Sequence, residues 1–176
     1  DERNIISGNT IDGIYINGGD GNTITGNYLG TDAYGTGKLS NGNNGISITN
    51  DAHQNVIGGS AAGQGNIIAY NKGTGVHIGN TGSTRNTLTR NSIHSNTNLG
   101  IDNNNGGNTE LAPPVLITIT ANSVGGLVAM GNMTIEFYSD DVDEGRIYEG
   151  TATSDESGAF TFVKAGGFQG PYVTAT

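Results

Sequence analysis

The chain has no cysteine, no tryptophan, three prolines and seven basic residues in 176 positions. Each scarcity removes a class of protein. Without cysteine there are no disulfides and no thiolate metal sites. No apolar run approaches the roughly 18 residues that a membrane-spanning helix needs. Sixteen acidic residues against the seven basic ones leave a net charge of −9. That charge repels phosphate backbones and argues against a nucleic-acid partner. Apolar residues make up only 33% of the chain. They are too few to fill a wide globular interior, but enough for a narrow one in which each layer needs a handful of aliphatic groups. No amino-terminal leader is recognisable. The first residues fall within a repeat, so the sequence reads as an excised or processed piece of a longer chain. The lack of cysteine fits an exported protein.

What the chain does have is glycine, at 31 positions, and one phrase written several times. An Asn opens a short apolar stretch at Asn4-Ile-Ile-Ser7, Asn22-Thr-Ile-Thr25, Asn66-Ile-Ile-Ala69 and Asn86-Thr-Leu-Thr89. A Gly opens its partner at Gly13-Ile-Tyr-Ile16, Gly45-Ile-Ser-Ile48, Gly75-Val-His-Ile78 and Gly100-Ile-Asp102. Successive partners lie 32, 30 and 25 residues apart. Self-similarity at such a period marks a stacked solenoid. Each span holds three short apolar segments, which is the arithmetic of a right-handed parallel β-helix.

Strand side chains alternate, so Ile14 and Ile16 point one way and Tyr15 the other. The expected inward set is Ile6, Ile14, Ile16, Ile24, Leu29, Ile46, Ile48, Ile57, Ile68, Val76, Ile78, Leu88, Ile93 and Ile101. β-Branched residues suit such a surface. Asn at the corners can hydrogen-bond from coil to coil and satisfy turn backbone. Gly and Asn recur too often for helix.

The strings Asn4-Ile-Ile-Ser-Gly-Asn9, Gly26-Asn-Tyr-Leu-Gly-Thr-Asp32, Asn55-Val-Ile-Gly-Gly59 and Asn91-Ser-Ile-His-Ser-Asn96 resemble the right-handed β-helix repeats of large exported bacterial surface proteins. In those proteins a β-sandwich-like module often follows the last coil. The segment from Pro113 to Thr176, with Ile135-Glu-Phe-Tyr138, Gly150 and Tyr172-Val-Thr-Ala-Thr176, resembles that module. The resemblance implies a secreted or cell-surface location in a bacterium, and a surface in contact with glycans. The wider pectate-lyase-like superfold also carries lyases, hydrolases, epimerases and adhesins, so fold alone does not choose among them.

Composition changes at Pro113-Pro114. All four Phe, at 137, 160, 162 and 168, lie beyond it. The expected domains are a β-helix over 1–110 and a small antiparallel β-sandwich-like module over 113–176. In the second, Val115, Ile117 and Ile119 recur at every second position, as do Met133, Ile135 and Phe137 between polar neighbours. Ser154-Asp-Glu-Ser-Gly158 reads as a turn. Five or six strands fit, and the module is expected to cover the last coil, whose open edges would otherwise be exposed.

The expected outward column of the first strand stack is Tyr15, Ser47, His77 and Asp102. The last three stand in triad order. A working triad also needs hydrogen-bonded contact, a buried orienting carboxylate and an oxyanion hole, which a flat wet sheet face does not supply. Paired carboxylates across a groove would serve glycoside hydrolysis, and Asp102, Asp51 and Asp32 are the candidates. No Asp-Asp pair falls in the repeats, and no acidic–Pro–His string occurs. His53, His77 and His94 lack paired metal-ligand spacing. The acidic run Asp140, Asp141, Asp143 and Glu144 is the one place for Ca²⁺, although it lacks the twelve-residue loop pattern and reads first as a solvated loop. No other cofactor is called for. The long insertion at 31–41 carries Asp32 and Tyr34. With Tyr15 and Tyr28 these form the candidate ligand surface, because aromatic faces suit sugar stacking. The expected function is a non-catalytic structural or adhesion module. The alternative is part of a polysaccharide-processing enzyme.

Overall fold

The computed structural model describes residues 3–142 and 144–176. The chain divides into two compact units, Asp1–Glu110 and Leu111–Thr176. Both are built from strands.

In the first unit eleven short strands follow one another: β1 (Ile5–Ile6), β2 (Ile14–Asn17), β3 (Thr23–Ile24), β4 (Tyr28–Leu29), β5 (Ile46–Thr49), β6 (Val56–Gly58), β7 (Ile67–Ala69), β8 (Val76–Gly79), β9 (Thr87–Thr89), β10 (Ser92–His94) and β11 (Ile101–Asn104). They form three parallel sheets, in the orders β1-β4-β7-β10, β2-β5-β8-β11 and β3-β6-β9. Every third strand therefore returns to the same sheet, one layer on. This topology is compatible with a parallel β-helix.

Register explains why the apolar phrase repeats. Ile14, Ile46, Val76 and Ile101 are consecutive partners, and so are Ile6, Leu29, Ile68 and Ile93. Ile24, Ile57 and Leu88 make a third column. All fourteen expected inward residues belong to one core, which Ala52 joins. The column Ile16, Ile48, Ile78 ends on Asn103, whose buried Oδ1 has no hydrogen-bond partner among the described residues. Gly begins the β2, β5 and β8 phrase because coils approach closely there. A Cβ on Gly45 would lie 2.7 Å from the Gly75 carbonyl oxygen and 2.5 Å from Ile68 Cγ2.

Three files of asparagine stitch the coils at their corners. Asn4, Asn27, Asn66 and Asn91 form one, Asn9, Asn41, Asn71 and Asn96 the second, and Asn22, Asn55, Asn86 and Asn108 the third. At most steps the backbone N–H and Nδ2 of one Asn both donate to the Oδ1 of the next. The remaining Nδ2 hydrogen reaches back to a strand carbonyl, as from Asn66 to Ile24 at 2.8 Å and from Asn91 to Ile57 at 2.8 Å. Asn55, Asn66 and Asn71 are fully buried, where an unmade bond costs roughly 1–3 kcal/mol. Asn is the residue that supplies acceptor and donors from one short side chain.

The second unit holds β12 (Val115–Ile119), β13 (Ser123–Leu127), β14 (Thr134–Asp140), β15 (Ile147–Thr153), β16 (Ala159–Val163) and β17 (Tyr172–Ala175). Two antiparallel sheets, β12-β13-β16 and β15-β14-β17, share a core of Val124, Ile135, Phe137, Phe160 and Val173. Phe137 stacks on Phe162 with centroids 4.6 Å apart. The turn at Ser154–Gly158 joins β15 to β16, as expected. The expected strand over Val115–Ile119 is present as β12. Val115, Ile117 and Ile119 are exposed, and Leu116 packs on the core. A register shift between Leu116 and Thr118 breaks the alternation, which by itself never said which face was inward. Among the described residues no helix is long and apolar enough to cross a membrane.

Candidate functional site

The outer face of sheet β2-β5-β8-β11 gathers the expected column. Tyr15 pairs with Ser47, Ser47 with His77 and His77 with Asp102, each one strand from the next. Adjacent parallel strands lie about 4.8 Å apart, so these side chains are neighbours because the repeat is in register.

His77 Nδ1 lies 3.3 Å from Asp102 Oδ2. A carboxylate only accepts, so the imidazole holds its proton on Nδ1. The same oxygen accepts from Asn104 Nδ2 at 3.1 Å. The opposite edge of the ring lies over Gly79, where a Cβ would meet Nε2 at 2.8 Å. Gly79 thus makes the space in which the ring lies along its own strand. This is an oriented His–Asp dyad whose Nε2 has no hydrogen-bond partner among the described residues.

Ser47 does not complete it. No hydrogen bond joins Ser47 to His77 among the described residues, and Nε2 is aimed along β8 rather than across to β5. Nor is the face flat and wet at this point: Ser47 is only 4% exposed, with Tyr15 and His77 on its two sides. Tyr15 is held by its hydroxyl, which accepts from Thr49 Oγ1 at 3.1 Å, while the residue stays 55% exposed.

The other candidates fall elsewhere. Asp32 organises its own loop. Its Oδ1 accepts from the N–H groups of Tyr34 and Thr36 at 3.0 and 3.2 Å. Backbone hydrogen bonds, that of Gly37 foremost, hold its carboxyl below its ordinary value against the opposing effect of desolvation. Tyr34, on the loop so formed, is 83% exposed. The Tyr28 ring is engaged within the chain, with the Arg3 guanidinium 4.2 Å from its centroid and Gly35 against its edge. No hydrogen bond or ion pair joins Asp32, Asp51 and Asp102 among the described residues. His53 faces Asp20 at 3.7 Å, and His94 packs edge-on to Tyr70.

The acidic run is not one solvated loop. Asp140 ends β14 and is 4% exposed. Its Oδ1 accepts from the Asp141 N–H at 2.6 Å, and its Oδ2 is buried without a partner among the described residues. Asp141 is exposed and Glu144 half-buried; Asp143 lies outside the described residues. No group of three or more His, Asp or Glu able to hold a metal occurs among the described residues.

One cluster had no signal in the repeats. Glu149 on β15, its carboxylate fully buried, accepts from Ser139 Oγ, from Lys164 Nζ and, at 2.7 Å, from the Gln169 N–H. Burial pushes this carboxyl up, but the bonds from Lys164, Ser139 and Gln169 together hold it below its ordinary value. The one hint is a charged residue at an inward position of an alternating strand. No protein-family profile, curated protein or solved structure matches this chain.

Proposed function

We propose that the first unit is a right-handed parallel β-helix, that the second is a β-sandwich-like module, and that the chain is a structural or adhesion module of an exported bacterial surface protein. The handedness follows from the strong general preference for right-handed parallel crossovers. The observation that carries the functional reading is the set of three buried asparagine files, which tie each coil to the next independently of any ligand. Such a rod is stiff and offers few openings to proteases. Tyr15, on the outer face of β2, and Tyr34, on the loop insertion, are its exposed aromatics among the described residues, and they suit stacking on sugar rings. A glycan array tests this: binding that Tyr15→Ala and Tyr34→Ala together abolish, with Tm unchanged, supports glycan contact. Binding indifferent to both changes removes these tyrosines from the reading.

The His77–Asp102 contact favours a second reading, part of a polysaccharide-processing enzyme in which His77 Nε2 takes a proton. Turnover of uronate polymers that disappears in His77→Ala would replace the non-catalytic reading with this one.

A further inference from the structure

We infer that the outer face of sheet β2-β5-β8-β11 is a flat platform for a neutral, ribbon-like glycan of β-1,4-linked glucose, which lies across the strands on the rings of Tyr15 and His77. The inference rests on the glycan reading above and deepens it by naming the surface and the class of sugar.

Both rings lie down on the sheet. Tyr15 pairs with Ser47, yet its hydroxyl lies 3.1 Å from Thr49 Oγ1, one strand over and two residues on. A tyrosine standing upright on β2 would hold its hydroxyl well clear of the sheet, so the ring leans toward β5 over Ser47. Ser47 is buried for that reason, although it sits on an outer face. Tyr15 itself stays exposed, with one face of its ring open to solvent. His77 lies along β8, tied to Asp102 at one edge and resting over Gly79 at the other. Strands β2 and β8 are two spacings apart, roughly 10 Å. Two rings laid flat over that width make a surface without a step, with room for two successive sugar units. The groups that hold the rings, Thr49, Gly79 and Asp102, all lie in the coils that follow β2. A further strand beside β2 would extend the sheet sideways and leave its outer face open.

The class of sugar follows from shape, charge and hydrogen bonding. Aromatic faces pack on apolar faces. A pyranose with equatorial hydroxyls and equatorial linkages presents such a face on every ring, whereas an axially linked glycan turns away after one unit. None of the four strands carries Lys or Arg. Asp102 sets a carboxylate beside the platform, so a uronate chain meets like charge and no counter-charge. The polar atoms facing the space over Gly79 are acceptors and fit hydroxyl donors. His77 carries its proton on Nδ1, so Nε2 accepts. Nε2 has no hydrogen-bond partner and is not one of the buried unpartnered atoms of the described residues, so water reaches it. Asn104 directs Nδ2 to Asp102 and keeps its Oδ1 3.5 Å from where a Cβ on Gly79 would stand. A sugar hydroxyl in that space donates to Nε2 or Oδ1 in place of water.

The test is an NMR titration of the full chain with three tetrasaccharides: β-1,4-linked glucose, α-1,4-linked glucose, and the β-1,4-linked chain with every primary alcohol oxidised to a carboxylate. The inference expects the first to shift the amides of Ser47, Thr49 and Gly79, and to bind at least about tenfold more tightly than the other two. Tyr15→Ala and Gly79→Ala are each expected to weaken it by about tenfold. Tyr172→Ala, which removes an exposed tyrosine of the second unit, is expected to leave it unchanged. The shifts in the unmodified chain need no variant and decide the matter if one fails to fold. Binding of the first tetrasaccharide that moves only amides of the 31–41 loop overturns the platform and leaves glycan contact through Tyr34 standing. Equal binding of the oxidised chain overturns the neutral class, and equal binding of the α-linked chain overturns the ribbon shape. Binding of none of the three overturns the platform, and the glycan array then decides the wider reading on its own.

Discussion

Asn66 donates its backbone N–H and its Nδ2 to the single Oδ1 of Asn91, at 3.1 and 2.9 Å. It also accepts from Asn27 above and caps the Ile24 carbonyl. One side chain therefore satisfies three coils. Replacing it strands donors and acceptors that are fully buried. Asn66→Ala is expected to cost about 3 kcal/mol or more, since each unsatisfied buried group costs roughly 1–3 kcal/mol. Asn22→Ala, at the exposed end of its file, is expected to cost about 1 kcal/mol or less by the same reasoning. Urea unfolding of both variants measures the difference, and equal costs would mean that the files do not bear stability.

Gly45 is a position of close approach. A Cβ there would meet the Gly75 carbonyl at 2.7 Å and Asn71 Nδ2 at 2.9 Å. Backbone cannot yield as a flexible side chain can. Gly45→Ala is expected to lower stability by about 2–3 kcal/mol, in the range of overpacking in a tight core. Gly63→Ala has open space around its added methyl and serves as the comparison for backbone strain alone, because Gly63 sits at φ 80°. Thermal unfolding of the pair separates crowding from strain.

Glu149 sets an acid limit on the second unit. Its carboxyl is held below the ordinary value of 4.5, burial being outweighed by bonds from Lys164, Ser139 and Gln169. A depressed folded value means stabilisation that is fully present above the unfolded value and lost as pH falls through the folded one. Glu149→Gln breaks the pair with Lys164 and is expected to cost about 3 kcal/mol at neutral pH. The gap between the two proteins should hold above pH 4.5 and close below it. A gap constant with pH would contradict this account.

Gly79 governs His77. An alanine there would put a methyl 2.8 Å from Nε2, displacing the ring from Asp102. Imidazole nitrogen shifts are expected to report a single Nδ1-protonated tautomer in the unmodified protein and a mixture in Gly79→Ala. A mixture in both would dissolve the dyad.

The coils were legible in sequence because their determinants are local and repeated. Each Asn, Gly and Ile phrase is short, and stacking requires the same phrase again one layer on, so Asn4 and Asn91 announce the same corner. The column Tyr15, Ser47, His77 and Asp102 was legible for that reason. What the column does was not. The tilt of His77 toward Asp102 depends on the space left at Gly79, and the burial of Ser47 depends on its two neighbours. In the second unit, alternation over Val115–Ile119 gave a strand but not its inward face, which the register shift and Leu116 decide. The Glu149–Lys164 pair joins a residue of β15 to one just past the end of β16, with no spacing rule between them. Asp140 begins an acidic run whose composition suggests a loop, whereas it ends β14.

The central claim is that successive coils are joined by asparagine amides, and amide hydrogen exchange tests it most directly. The backbone N–H groups of Asn27, Asn55, Asn66, Asn71 and Asn86 each donate to the Oδ1 of an Asn one coil later. The account predicts that all five exchange only through global unfolding. Fast exchange at these five positions, at the rate of exposed loop amides, would contradict it.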